Sequence, residues 1–407
     1  MTQAKGALMQ LLLQRESAFR TEPGSAAAFK IPFTRYGIGR DPRKQKDPSI
    51  NASPLPGKSG CGDAVVEGQI ASILDLRSIG HWLALLLGVP TTHKAVTKQP
   101  TNVTGVTVNY AESTCTTGNG TLTFTFSGTT LAWKAQGDGT AGTAVNVSAG
   151  GTFTLQSGTA NHSISVTVAA SAIPGTDKTD ADIAVSATLK CHAFPFNLTG
   201  RPSALLELGH TDTSKYYRTL GAKVNTLAYD LAALEQNIDL GLIAGEESEK
   251  NAVWDAAPTA YDSVRACGSG GSVSNGYDTT LGSIVEGSLS VSNNMQGVSL
   301  VDDREGYGLI DQGEITLGGR IKTLFESSGA YALARASTST HMRVGSKASV
   351  GADVFGLYWD IPNAEFIEKA VPKEGKSGIY ADLEWSAHRV SGGVLPLVTL
   401  INDVASY

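Results

Sequence analysis

Val66-Glu67-Gly68-Gln69-Ile70-Ala71-Ser72-Ile73-Leu74-Asp75 decides how this chain is read, because a second stretch echoes it. Leu317-Gly318-Gly319-Arg320-Ile321-Lys322-Thr323-Leu324-Phe325-Glu326 repeats its pattern: Gly68 matches Gly319, Ile70 matches Ile321, and Asp75 matches Glu326. In the first copy Val66, Gly68, Ile70 and Ser72 alternate with Glu67, Gln69 and Ala71, the two-residue period of a strand with one apolar and one polar face. Each copy runs into a helical pattern. Leu76, Ile79, Leu83, Leu86 and Leu87 recur at helical spacing until Gly88 and Pro90 stop them, and Ser328 to Ala336 reads as the second, shorter helix. A repeated strand–helix unit lets one chain set two similar pieces side by side.

Working outward, residues 1–30 read as an arm: a weak helix from Leu8 to Phe19, then the turn signal Thr21-Glu22-Pro23-Gly24. A strand from Phe29 to Tyr36 follows. Gly37 to Gly62 is a long proline-rich loop carrying Arg40, Arg43, Lys44, Lys46 and Lys58; a loop of that length is usually functional or disordered. Residues 97–187 are poor in charge and rich in Gly, Ser and Thr. Short alternating segments within them (Gly105–Tyr110, Leu122–Phe126, Thr129–Lys134, Ala144–Val147, Thr152–Leu155, Ser163–Val168) suggest a small β-sandwich inserted after the first helix. Strands resume at Leu189–Leu198, Ala204–Gly209, Tyr216–Val224, Asn225–Leu231 and Asn237–Ala244. Glu246 to Thr280 reads as another long loop. Further strands are Ile284–Asn293, Glu314–Leu324, Phe355–Ile361, Glu365–Val371, Tyr380–His388 and Leu397–Asn402. The reading is a mainly β chain, a β-barrel or sandwich with flanking short helices over 1–96 and 188–407, interrupted by the domain at 97–187.

Composition bounds what such a chain can do. Of 407 residues 41% are hydrophobic and 17% charged, which excludes a disordered chain, and 46 glycines suit many turns. A net charge of −6 gives no basic bias for gripping phosphates. No apolar run approaches the ~20 residues of a membrane helix, and no secretory signal opens the chain, so folding in a cytoplasm is expected. Cys61, Cys115, Cys191 and Cys267 are scattered, without a zinc or disulfide pattern. The seven histidines stand singly, and His81 reads as an interior or edge residue of the helix rather than a catalyst. Gly137 to Gly142 fits GxGxxG but sits between strands, where a dinucleotide fingerprint has no βαβ context. Asp177, Asp180 and Asp182 lack the EF-hand spacing. No catalytic residue, metal or cofactor is expected. The polar faces of the long strands stand out instead: Glu67, Gln69, Asn237, Asp239, Glu286, Ser288, Ser290, Glu314, Thr316, Arg320 and Lys322. In a monomer they form the wet side of a sheet; in a closed ring they line a hole.

Several runs resemble siphophage tail tube (major tail) proteins: Gln14 to Gly24, the strand–helix pair Gly68 to Gly88, and Glu207-Leu208-Gly209-His210-Thr211-Asp212. Tyr216-Tyr217-Arg218, Gly221 to Asn225, Ser292-Asn293-Asn294 and Ile361 to Phe366 continue the likeness. It covers about three-quarters of the chain, and 97–187 resembles the Ig-like decoration domains of some tail proteins. The resemblance implies a structural virion protein and not an enzyme. It implies hexameric rings whose sheets form an inner barrel, stacked into a tube that DNA traverses, assembled in the host bacterial cytoplasm. The Gly37–Gly62 loop would contact the adjacent ring. The tape-measure, tail terminator and baseplate proteins would be partners, with no membrane. The family's lumen is acidic or neutral, whereas the residues assigned to it here include Arg320 and Lys322. Two other readings remain at this point: an extracellular β-sandwich adhesin or carbohydrate-binding module, which the insert alone would fit, and another virion ring component such as a tail terminator or baseplate protein.

Overall fold

The structure is a computed structural model. It describes residues 4–49, 55, 57–60, 62–96, 106–114, 121–127, 129–134, 142–156, 163–169, 178–196, 200–231, 235–275, 279–281, 284–301, 305–324, 329–351, 353–367, 380–389 and 395–407.

The first part contains β1 (Met9–Arg15), β2 (Phe29–Ile31), β3 (Arg35–Tyr36), β4 (Gly39–Asp41), β5 (Val65–Ile73), α1 (Ile79–Leu87) and β6 (Thr91–Val96). Then come β7 (Val106–Thr114), β8 (Thr121–Ser127), β9 (Thr130–Lys134), β10 (Val145–Asn146), β11 (Gly151–Gln156), β12 (Ser163–Val168) and the long β13 (Lys178–Pro195). The next group is β14 (Ala204–His210), β15 (Lys215–Leu231), β16 (Asn237–Ala244), β17 (Glu246–Lys250), β18 (Thr259–Ala260), β19 (Gly271–Asn275) and β20 (Thr279–Thr280). The chain ends with β21 (Ile284–Ser292), β22 (Gln296–Ser299), β23 (Tyr307–Asp311), β24 (Thr316–Leu324), α2 (Gly329–Arg335), β25 (Thr340–Val350), β26 (Asp353–Ile367), β27 (Tyr380–Ala387) and β28 (Leu397–Asn402).

The mainly β fold with short helices is as expected, but a single chain closes no barrel. Its main sheet is open, eight strands wide and antiparallel throughout, in the order β3/β4, β5, β16, β15, β21, β24, β27, β26. β3 and β4 form one interrupted edge strand, both paired to β5 on the same side.

The two echoing sequences prove to be the visible part of a larger duplication. In the first unit β1 pairs β14, β14 pairs β15, β15 pairs both β16 and β17, and β16 pairs β5, which pairs β4. In the second, β19 pairs β25, β25 pairs β26, β26 pairs both β27 and β28, and β27 pairs β24, which pairs β21. The same chain order and antiparallel pairings occur twice, with α1 and α2 in matching places. Chemistry repeats too. Ile70 and Ile321 are buried, 0% and 1% exposed. Ser72 and Thr323 are buried, and each hydroxyl lies within hydrogen-bond distance of the next residue's carbonyl, at 3.1 and 3.3 Å, with Ser72 also reaching the Pro32 carbonyl at 2.8 Å.

The core lies behind the sheet. α1 is buried on every side, with Trp82, Leu83 and Leu86 among its fully covered residues. Asp75 starts it: the carboxylate accepts from the Ser78 amide at 3.0 Å and from the Val264 amide at 2.7 Å, and Gly88 ends it at φ 120°. Gly80 has no room for a side chain, because a Cβ there would meet the Tyr407 ring at 2.3 Å. His81 is an interior residue. It lies 4.1 Å from the Phe29 ring, and burial, then Arg15, push its pKa down to about 3. His192 is held between Thr92 at 2.9 Å and Asn402 at 3.1 Å, with its pKa lowered by burial to about 4.

Between α1 and β14, β7, β11 and β12 form one small sheet, and β10, β9, β8 and the first part of β13 form another. β13 then continues to pair with β6 and β28. Gly105, most of the Gly137–Gly142 run and Asp177 lie outside the described residues.

Several expectations are corrected. The weak helix over Leu8–Phe19 is the strand β1: Leu11, Leu12 and Leu13 are all buried, because β1 lies between β14 and β2. The strand expected from Phe29 to Tyr36 is broken into β2 and β3. The Glu246–Thr280 loop holds β17 to β20. Two pairs of expected strands are each one long strand, β15 and β26, that passes from one sheet into another. β25 and the β22–β23 hairpin were not anticipated.

Candidate functional site

The polar residues singled out from sequence fall on one face of the eight-stranded sheet, because alternate residues share a face and the register lines them up. One row across the sheet runs Ala71, Asp239, Ala228, Ser290, Gly318, Ser386, Glu365. The next runs Asp230, Ser288, Arg320, Glu384. A third joins Glu286, Lys322 and Asp382. Glu67 and Gln69 on β5, Asn237 on β16 and Thr316 on β24 are exposed on this side. Glu314 is exposed but lies ahead of β24, outside the strand.

Four carboxylates here were missed in the sequence reading: Asp230, Asp382, Glu384 and Glu365. The signal was present. Asp230 follows Thr226 and Ala228 in alternation with buried Leu227 and Tyr229, and Asp382 and Glu384 alternate with buried Ala381, Leu383 and Trp385. They resolve the mixed charge of the face. Arg320 makes a two-pronged pair with Asp382, whose hydrogen bond raises the arginine pKa, and Lys322 reaches Glu286 at 3.2 Å. Arg35 on the edge strand reaches Asp239 at 3.3 Å. From β5 to β26 the strands thus carry seven carboxylates on this face (Glu67, Asp230, Asp239, Glu286, Glu365, Asp382, Glu384) against the three cations just named. The balance is acidic, and each cation has an acidic partner.

At one end the face turns apolar. Val65, Ile243, Met295, Tyr307 and Ile310 form a small second core beneath the β22–β23 hairpin. The Tyr307 hydroxyl donates to Glu67 at 2.5 Å, and burial and that bond push its pKa up to about 12. The hairpin carries Leu300, Val301 and Leu309 exposed to solvent.

The basic segment lies beside this hairpin. Its first residues are the strand β4 rather than loop, and Gln45 and Gly60 form an antiparallel bridge that closes it. Arg40 pairs with Glu305 at 3.1 Å, and the Gly306 amide donates to Asp63 at 2.9 Å. Arg43 has a positive φ of 38°, its amide donating to Asp41 at 3.1 Å. Lys44, Lys46 and Lys58 are exposed. In the duplication this segment, between β4 and β5, corresponds to the β22–β23 hairpin between β21 and β24. Both project from the same end of the sheet.

Among the described residues, no three His, Cys, Asp or Glu side chains are grouped as a metal site, and no helix is long and apolar enough to cross a membrane. No curated protein sequence matches the chain. A family model described as phage tail tube protein matches residues 185–387, from within β13 to the end of β27.

Proposed function

The chain belongs to the phage tail tube protein family, and on that premise we propose that its acidic sheet face lines the bore of a tube built from stacked rings. The coarser statement follows from membership: this is a structural protein of a bacteriophage virion. The finer reading is a conduit for DNA, assembled in the host bacterial cytoplasm, with tape-measure, tail terminator and baseplate proteins at its ends. The resemblance noted in the sequence puts six subunits around such a bore.

One observation supports the reading above others. The wet face spans all eight strands, and among the described residues β3 and β4 at one end and Glu365–Ile367 of β26 at the other pair with no further strand on their outer side. Seven carboxylates against three paired cations repel a phosphate backbone, so a duplex slides and does not adhere. Exposed sheet edges invite further pairing, and ring closure is what satisfies them. Head-to-tail stacking of rings then gives an open filament. The basic segment closed by Gln45 and Gly60 serves as the contact with the next ring, its cations Arg40, Arg43, Lys44, Lys46 and Lys58 giving register. The strands of 97–187 form an outer decoration that touches neither bore nor stacking surface.

Negative-stain microscopy of the purified protein tests this. Wild type gives long tubes. Replacing residues 46–59 by a short Gly-Ser turn leaves single rings, and removing 98–186 leaves tubes. A wild-type protein that stays monomeric at high concentration in every salt would refute the assembly and favour a free-standing β-sandwich module.

A further inference from the structure

We propose that Arg20 is a positioning residue: its buried guanidinium holds the β22–β23 hairpin and the basic segment in one fixed pose, and that pose is what lets rings stack. The proposal rests on the tube reading and names the residue that readies its stacking end.

The arm after β1 is built to send this one side chain inward. Arg20 has a left-handed backbone, φ 58°, which side chains disfavour. Glu16, itself buried, holds the turn: its carboxylate accepts from the Arg20 amide at 3.2 Å, from the Gly221 amide at 2.8 Å and from the Ser203 hydroxyl at 2.6 Å. Glycines then line the path of the arginine stem. A Cβ on Gly245 would run into that stem, and one on Gly221 would meet the Phe19 ring and the Arg20 Cγ at 2.7 and 3.0 Å. Gly306, at φ 93°, lies against the Gly245 carbonyl, where a Cβ has no room either.

The guanidinium ends on three acceptors. It donates to the Glu246 carboxylate at 2.6 Å, to the Glu305 carbonyl at 2.8 Å and to the Tyr307 carbonyl at 3.1 Å. Residues 305–307 are the root of β23, and the basic segment is tied to the same three residues. Arg40 reaches the Glu305 carboxylate at 3.1 Å, and the Gly306 amide donates to Asp63 at 2.9 Å. Both structures that project from this end of the sheet therefore meet at one junction, and Arg20 fixes that junction from behind.

The chemistry fits positioning better than stability. Burying an ion pair gains little over an apolar side chain of the same volume, because both charges lose their water. A guanidinium offers something an apolar group lacks, a rigid planar fork that sets direction as well as distance. Direction matters here because the hairpin carries Leu300, Val301 and Leu309 exposed. A hairpin free to swing would have to be ordered each time a ring is added, a cost that a preset pose removes.

Hydrogen exchange by mass spectrometry and negative-stain counts of rings and tubes over a concentration series test this on the whole chain. In Arg20→Met, exchange over 296–311 should rise about tenfold or more while that of β5 and β16 stays unchanged. Rings should still form, and the concentration needed for tubes should rise about tenfold or more. Arg20→Lys keeps the charge without the fork and should fall between this variant and the wild type. Gly245→Ala displaces the guanidinium with the arginine still present; it should give the same separation and carries the test if Arg20→Met does not fold. Ile70→Ala weakens the core away from the junction and should stack as the wild type does. Unchanged exchange over 296–311 in the variants overturns the pinning. A freed hairpin with wild-type tube growth overturns its link to stacking. Equal loss of tubes in Ile70→Ala, or failure of both junction variants to fold, reduces Arg20 to a stabilising residue and overturns the proposal. A wild type that forms no tubes refutes the tube reading instead, and the exchange measurement then still decides the pinning.

Discussion

Reversing charge on the polar sheet face, which we propose lines the bore, isolates what that face does while leaving the fold alone. Asp230, Asp239 and Glu384 are exposed on the face, in three different strands. Changing all three to Lys takes the face from seven carboxylates and three cations to four and six. The stability cost is small, since the pair lost with Asp239 is an exposed one with Arg35 at 3.3 Å, worth at most about 1 kcal/mol. Each lysine that meets a phosphate adds about −0.9 to the slope of log affinity against log salt. Six lysines, from two chains, give a slope of about −5, so retention of DNA falls about a thousandfold between 50 and 200 mM salt. The assay is DNA release from particles carrying the variant, followed by nuclease sensitivity. Release should stall at low salt and recover as salt rises, while wild type is indifferent. Assembled variant particles that release DNA like wild type at every ionic strength would refute the assignment of this face to the bore.

Other expectations concern the fold that presents the face. Ile70→Ala and Ile321→Ala should each cost about 2–5 kcal/mol in urea unfolding; the two sites lie four strands apart, about 19 Å, so the double variant should show their sum. Asp75→Ala should cost about 3 kcal/mol by the same measurement, since it strips partners from the buried Ser78 and Val264 amides at the start of α1. Acid should destabilise the protein through its buried histidines. His81 and His192 have folded pKa values of about 3 and about 4, below the unfolded value near 6.5, so the unfolded chain takes up protons first as pH falls. Between pH 7 and 5 the loss is about 2 kcal/mol for each, and His192→Gln should remove about 2 kcal/mol of the pH dependence seen by thermal melts.

What could be read from the sequence, and what could not, follows from where the information lies. The alternation of Val66 to Ser72 and the helical spacing of Leu76 to Leu87 are local, and both elements were found where expected. So was the polar face, because a period of two is visible in any strand with one wet side. β1 was misread because Leu11, Leu12 and Leu13 are covered on both sides, and a continuous apolar run has no period to separate strand from helix. β15 and β26 were each split because one strand serves two sheets and its burial pattern changes midway. Gly221, at φ 71° within β15, marks that change. The duplication was glimpsed only through its best-preserved strand–helix pair. The matching of β14 to β25 or of β17 to β28 lies in pairing, not in residue identity, and no single sequence displays pairing. Asp382 and Glu384 alternate with Ala381, Leu383 and Trp385, so the wet side of β27 is legible in its sequence as well.

Holding two matching units in one polypeptide would have a consequence for the outside of a tube built as proposed. Separate identical subunits are obliged to look alike, whereas two halves of a chain are free to diverge. Here only the first half carries an elaboration between its helix and β14; α2 leads to β25 with no counterpart. In a ring of such chains with the insert outermost, as proposed, every second sector would bear an ornament and its neighbours would stay bare. Whatever grips the exterior, a host surface or a neighbouring filament, would then find half as many handholds, twice as far apart, with clear ground between them.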